Sequence, residues 1–189
     1  MLISELIIEA KKGSAPAQKK LFYALADRML VVCLRYVKTR EDAEEILLDG
    51  FFKFFKHLPS FDYVNEAALH GWLKKILVNE CLMFLRKKNV FTMTTESAAE
   101  EIALEEDGLN NLSAEEIFKL IVQLPVGYRT VFNLHIIEGM VHKEIAETLG
   151  ISEGTSKSQL SKAKSALQKM LQNQLNFNAS KPNSNVLER

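Results

Sequence analysis

Apolar positions recur at steps of three and four along almost the whole chain, and that period predicts helix nearly everywhere. Leu2 to Lys12 is a first short run. Ser14, with Pro16 in the following turn, marks a helix start. The helix it opens is expected to reach about Val37, with Leu21, Phe22, Leu25, Met29, Val32 and Cys33 as its apolar members. Thr39 and Asp42 stand at capping-box spacing, with aspartate in the usual glutamate place. Behind them Ala43, Ile46, Leu47, Gly50, Phe51 and Phe54 form one helical face. Leu58 to Asn65 contains Pro59, Ser60 and Asp62 and reads as a loop. Glu66 to Lys88 is a long helix, apolar on nearly every side from Trp72 to Leu85, so its middle must be deeply packed. Phe51-Phe52 and Phe54-Phe55 suggest a strand only in isolation; the helical period runs straight through them.

The pattern lapses from Asn89 to Leu112, which is acidic and holds Gly108, Asn110 and Asn111. It restarts at Ser113, which forms a capping box with Glu116. Ile117, Leu120, Ile121 and Leu124 carry the next stripe, and Pro125 and Gly127 break it. A helix is expected from about Tyr128 to Glu138, ended by Gly139, then another from His142 to Leu149, ended by Gly150. Ser152 is placed to cap a last helix reaching about Gln174. The expected architecture is all-α: a helical domain over 1–90, a flexible acidic linker over 91–112, a second helical domain over 113–175, and a disordered tail over 176–189, rich in Asn and Ser.

Net charge is zero, 24 basic against 24 acidic residues, which excludes a uniformly basic nucleic-acid binder but not one with segregated charge. The charge is in fact segregated. Lys11 to Arg40 holds eight bases and one acid; Glu41 to Asp49 holds five acids and no base; Lys74 to Lys88 holds five bases and one acid; Glu96 to Glu116 holds eight acids and no base; Thr155 to Lys169 holds four lysines and no acid. Such alternation suggests several partners, at least one of them polyanionic. Cys33 and Cys81 lie in apolar helical stretches with no CxxC spacing, which fits a reduced, cytoplasmic setting. No apolar run approaches the roughly 18 residues of a membrane span, so no membrane insertion is expected. His57, His70, His135 and His142 are scattered. His135 and His142 can share a face, but no Cys or carboxylate spacing completes a metal site. No catalytic constellation or cofactor loop is present in the sequence, so no enzyme is expected.

Ile145-Ala146-x-x-Leu149-Gly150-Ile151 has what a helix-turn-helix requires: a small residue where two helices cross, a glycine free to turn left-handed, and apolar residues facing inward. The helix after Ser152 carries Thr155, Lys157, Ser158, Ser161, Lys162 and Lys164. Such a helix can lie in the DNA major groove, with its first side chains at base edges and its lysines on phosphates.

The stretch Leu124-Pro-x-x-Tyr128-Arg129-x-Val131-Phe132, Glu138-Gly139, Lys143-Glu-Ile-Ala-Glu147, Leu149-Gly-Ile-Ser152, Gly154-Thr155-x-Lys157-Ser158, Ala163-Lys164 and Leu167 resembles the C-terminal region of bacterial RNA polymerase sigma factors. It is most similar to the extracytoplasmic-function (ECF) group of the sigma-70 family. The resemblance implies that this region reads the upstream (minus-35) promoter element. Ser156 stands where the family usually has an apolar residue, and its hydroxyl is expected to bond back to a carbonyl one turn earlier. Arg40-Glu-Asp-Ala-Glu-Glu-Ile46 with Phe51-x-Lys53-x-Phe55 is similar to the segment that docks on the clamp helices of core RNA polymerase. By that resemblance Asp42, Glu45 and Asp49 supply the acids, and Ile46 and Phe52 the apolar contact. The family more often has glutamine in place of Leu48, and Gly50 is atypical.

Trp72-Leu-Lys-Lys-Ile76-x-x-Asn79 with Arg86-Lys-Lys88 resembles the segment that captures the downstream (minus-10) element. Trapping melted DNA needs cations for the backbone and a pocket for an extruded base. Lys74, Lys75, Arg86, Lys87 and Lys88 are the candidate cations. Phe61, with Asp62 and Tyr63 in the preceding loop, and Asn79 are candidates for the pocket. Asn79 is otherwise a buried asparagine bonded within its own domain, and Trp72 is expected in the core rather than as a stacking platform. The linker is either a solvated tether or, by the resemblance, an acidic strand threading the polymerase's nucleic-acid channel. Promoter DNA and core polymerase are the implied partners, and an anti-sigma factor is a further candidate from the family. A stand-alone helix-turn-helix regulator is the alternative, and the first domain is what distinguishes the two.

Overall fold

The computed structural model describes residues 2–88 and 113–179, with side-chain surroundings given as far as residue 173, and these form two compact helical units. The expected linker, and the tail beyond Ala179, lie outside the described residues. Among the described residues there is no strand.

The first unit contains α1 (Ile3–Lys11), α2 (Ala15–Leu34), α3 (Arg40–His57), a single 3-10 turn over Leu58–Ser60, and α4 (Glu66–Lys87). Helix α1 packs on α2, and α2, α3 and α4 pack on one another. Leu21, Leu25, Met29 and Cys33 of α2 meet Ala43, Ile46, Leu47, Phe51 and Phe54 of α3 and Leu69, Leu73, Leu77 and Cys81 of α4, all buried. Edge-on aromatic contacts bind Phe22 to Phe51 at 4.7 Å and Phe51 to Phe54 at 5.9 Å. Helix α2 stops three residues short of the expected Val37. The chain instead turns on the Cys33 carbonyl, which accepts from the Tyr36 and Val37 amides. Tyr36 and Val37, one turn further along the face of Met29, Val32 and Cys33, are buried with them. The Thr39 hydroxyl accepts from the Asp42 amide at 3.2 Å, as a capping box requires.

Gly50 sits where α3 crosses α4. A Cβ there would lie 2.3 Å from Leu77 Cδ2 and 3.2 Å from Leu77 Cγ, so the close approach of the two helices requires glycine. Beside it Lys53 and Glu80 pair at 2.6 Å.

The second unit contains α5 (Ala114–Ile121), α6 (Val126–Phe132), which runs on into a π-turn over Asn133–Ile137, α7 (His142–Leu149) and α8 (Glu153–Ala179). The Ser113–Glu116 box closes in both directions, at 2.8 Å and 3.3 Å. Gly127, expected to break the chain, lies inside α6. A Cβ there would come within 2.8 Å of Gln159 Oε1, so the glycine admits the Gln159 side chain rather than ending the helix. Buried Arg129 reaches back from α6 and donates to the Val122 carbonyl at 2.8 Å, satisfying the C-terminus of α5 with a cation. Gly139 and Gly150 take the left-handed conformation at φ 74° and 69°, where a side chain would be strained. Helix α8 continues to Ala179, into the stretch expected as tail. Leu160, Ala163, Leu167 and Leu171 bury its apolar stripe against α6, α7 and α5.

Candidate nucleic-acid and partner interfaces

The hydroxyl of Ser152 starts α8 by accepting from the Thr155 amide at 2.9 Å, and it also meets the Thr155 hydroxyl at 2.9 Å. From that fixed start the 3.6-residue period sorts the side chains. Ser158 and Ser161 project away from the packed stripe. Lys157 and Lys164 lie to one side of them, and Thr155 and Lys162 to the other. Lys157 is exposed and pairs with Glu153 at 2.9 Å, which lowers the Glu153 carboxyl pKa. A polar ridge flanked by cations on both sides suits a groove with phosphates along both edges.

Ser156 does not bond back within its own helix as expected. It is 0% exposed, and its Oγ lies 2.9 Å from Nδ1 of His142 at the start of α7. The His142 ring stacks on His135 at 4.4 Å with 12° between planes, and His135 Nδ1 donates to the Met140 carbonyl at 2.8 Å. Burial, then the neighbouring His135, lowers the His142 pKa. The two histidines do share a face, and what they meet there is the start of α8.

On α4, Lys75, Asn79, Met83 and Arg86 share the exposed face, and Lys87 lies at its edge. Asn79 is therefore exposed, not bonded within its own domain. Lys74 is separated from this group. It is half-buried and projects about 140° round the helix from Asn79. Trp72 is half-buried, between Phe54 at 5.1 Å and Phe61 at 4.3 Å, and its planes with Phe61 differ by only 5°. Trp72 therefore packs on aromatic rings of its own unit, in keeping with the expectation, and one Phe61 face is occupied. The Phe61 carbonyl accepts from Lys11 Nζ of α1, which ties down the start of the loop. Asp62 and Val64 of that loop are exposed, and Asn65 Oδ1 accepts from the Ala68 amide at 2.8 Å to begin α4.

On α3, Glu41, Glu45, Leu48, Asp49 and Phe52 occupy one exposed face. Ile46 is not among them. It is 3% exposed and faces the core, because it falls on the stripe with Ala43 and Gly50. Its place is taken by Leu48, 60% exposed and one turn from Phe52, which is 71% exposed. The signal for Leu48 was its i,i+4 spacing from Phe52. Asp42, half-buried, does not complete its capping box; its carboxylate pairs with Lys88 at 3.2 Å.

Cys33 and Cys81 are buried, and the Cys81 thiol pKa is held well above its usual range by its hydrogen bond with Cys33 and by burial. That makes it a poor nucleophile. Among the described residues, no three His, Cys, Asp or Glu side chains gather as a metal ion would need, and no helix is long and apolar enough to cross a membrane.

Comparison with known proteins covers both units. Residues 21–90 match the sigma-70 region 2 family, and residues 114–167 match sigma-70 region 4. The ECF RNA polymerase sigma factor SigW of Bacillus subtilis is 29% identical over 185 residues, covering 90% of this chain and 97% of its own. The ECF RNA polymerase sigma-E factor of Haemophilus influenzae is 25% identical over 186 residues, covering 88% and 94%. The solved complex of the sigma factor RpoE with the anti-sigma factor NepR from Bartonella quintana aligns at a TM-score of 0.46 and 24% identity, over 82% of this chain and 96% of that one. A stand-alone helix-turn-helix regulator has no need of the matched region 2, so that alternative falls away. With both regions present in order and relatives aligned along most of its length, the chain belongs to the ECF group of the sigma-70 family of RNA polymerase sigma factors.

Proposed function

We propose that three exposed helix faces divide the work of this sigma factor. The α3 face, with Glu45, Asp49, Leu48 and Phe52, docks on core RNA polymerase. The α4 face, with Lys75, Asn79, Arg86 and Lys87, and the loop after Phe61 hold the melted downstream element. The α8 ridge, with Thr155, Ser158 and Ser161 flanked by Lys157, Lys162 and Lys164, reads the upstream element. The observation that carries this division is the pairing of Leu48 and Phe52, two large apolar side chains exposed one turn apart beside acids. An acidic face is ill suited to DNA, and an exposed Phe–Leu pair one turn apart suits a partner protein.

The protein carries no energy source for melting. Its cations and Asn79 favour the opened strand by binding it better than the duplex, which offsets unstacking at a few kcal/mol per extruded base. The test is in vitro transcription with purified core enzyme on a pool of promoters. Site-selective RNA starts that require the protein are expected. Starts that occur equally without it would overturn the reading.

A further inference from the structure

We propose that His142 and Ser156 act together as positioning residues for the upstream-element reader, a role that rests on the α8 assignment above. Ser156 sits between Thr155 and Lys157, the first two candidate reading side chains, but points the opposite way, into the interior. Its Oγ meets His142 Nδ1 at 2.9 Å, and Ser156 is held on α8 by its own amide, which donates to the Ser152 carbonyl at 3.0 Å. Behind His142 stands His135, stacked at 4.4 Å and anchored on the Met140 carbonyl. Two hydrogen bonds and the ring stack between them therefore link the turn before α7, the start of α7 and the start of α8. An apolar contact can slide by a fraction of an ångström at little cost. This part-buried hydrogen bond resists sliding, because losing its geometry takes the partner from a fully buried hydroxyl. This bond fixes the rotation and reach of Thr155 and Lys157 at the groove, and direct readout depends on that placement.

The neutral imidazole is the form this site accommodates. His142 is partly buried at the N-terminal end of α7, where the helix dipole opposes positive charge. His135, Lys157 and Lys164 oppose its protonation, and Glu153 alone among the facing charges favours it. An imidazolium can still donate to Ser156 Oγ, but acid places an opposed charge between α7 and α8 and should weaken their packing.

The experiment uses the full chain with core polymerase on a promoter found by the transcription assay, and measures the ratio of affinities for native and scrambled upstream sequences. The ratio matters because added positive charge strengthens binding to any DNA. Ser156→Val and His142→Leu should each lower the ratio at least about fivefold, because each removes the bond that ties the start of α7 to the start of α8. The double variant lacks the same single bond, so its loss should match that of a single variant rather than the product of the two, and Ser156→Thr should keep the ratio. Core affinity should stay within about twofold throughout. Should a single variant fail to fold, the wild type still decides: its ratio should fall between pH 7.5 and pH 5.5. The proposal is overturned if the singles keep the ratio, if their losses multiply in the double, or if the wild-type ratio is flat with pH. A wild type that shows no discrimination at pH 7.5 overturns the α8 assignment itself, and the proposal with it.

Discussion

Asp42 and Lys88, 46 residues apart in the chain and expected in two different interfaces, hold each other at 3.2 Å. The pair joins the start of α3 to the end of α4, so the candidate docking face and the candidate DNA face meet at one ion pair. Lys88 also lies 4.3 Å from the Phe84 ring centre. Both partners are partly solvated, so the pair contributes at most about 1 kcal/mol. Asp42→Ala should lower the first unit's stability by no more than that, read from urea unfolding. A loss above about 2 kcal/mol would show a buried network rather than a surface pair.

Phe52 and Ile46 separate docking from folding. Phe52→Ala should leave stability within about 0.5 kcal/mol, because the side chain is largely exposed, yet weaken core polymerase binding about tenfold or more. Ile46→Ala should do the converse, costing about 2–5 kcal/mol of stability through a cavity. Titration of fluorescent core enzyme alongside urea melts reads both. Asp49→Lys should also weaken core binding with DNA reading intact; unchanged core affinity would mean the docking face is misplaced.

Gly50→Ala tests the α3–α4 crossing. Alanine gains about 1 kcal/mol of helix propensity. Its Cβ must displace the fully buried Leu77 side chain, and overpacking costs about 1–3 kcal/mol. A net loss near 1 kcal/mol is expected in the urea midpoint. A gain would show that the crossing relaxes.

Lys157→Glu should remove a phosphate contact and set a second acid one turn from Glu153. Upstream-element affinity should fall about tenfold or more, and the salt slope should shrink by about one. Core binding should hardly change. Fluorescence anisotropy of holoenzyme on labelled promoter DNA at several salt concentrations measures this.

The second unit should lose stability in mild acid. The His142 pKa is lowered from its ordinary 6.5, so the unfolded chain binds a proton that the folded one resists. Stability is full above about pH 6.5 and falls as pH drops toward the folded-state value. Glu115, Glu116 and Glu153, lowered from 4.5, act in the same direction but only in stronger acid. Thermal melts of wild type and His142→Leu from pH 7.5 to 5.5 should converge; parallel curves would remove His142 as the cause.

Much of this was legible from residue order. The Ser113–Glu116 box, the Gly139 and Gly150 stops and the Ser152 cap are local devices, complete within a few residues, and they stand as read. The errors fell where a distant residue decides. Gly127 reads as a breaker until Gln159 is seen to need its space. Ser156 reads as a helix back-bonder until His142, fourteen residues earlier, supplies a better partner. Ile46 faces inward and Leu48 outward because a two-residue step on a helix turns a side chain through about 200°, and acidity alone does not say which side faces out.

The amino-acid order determined the helices, their starts and stops, the alternation of charge and the family, because helical period, capping and charge blocks are properties of neighbours in the chain. Only tertiary structure decided which members of each block reach solvent and which hold one another. Trp72 stacked on Phe61, Asp42 on Lys88 and His142 on Ser156 are contacts between elements. They are set by how helices pack, and no local spacing encodes that.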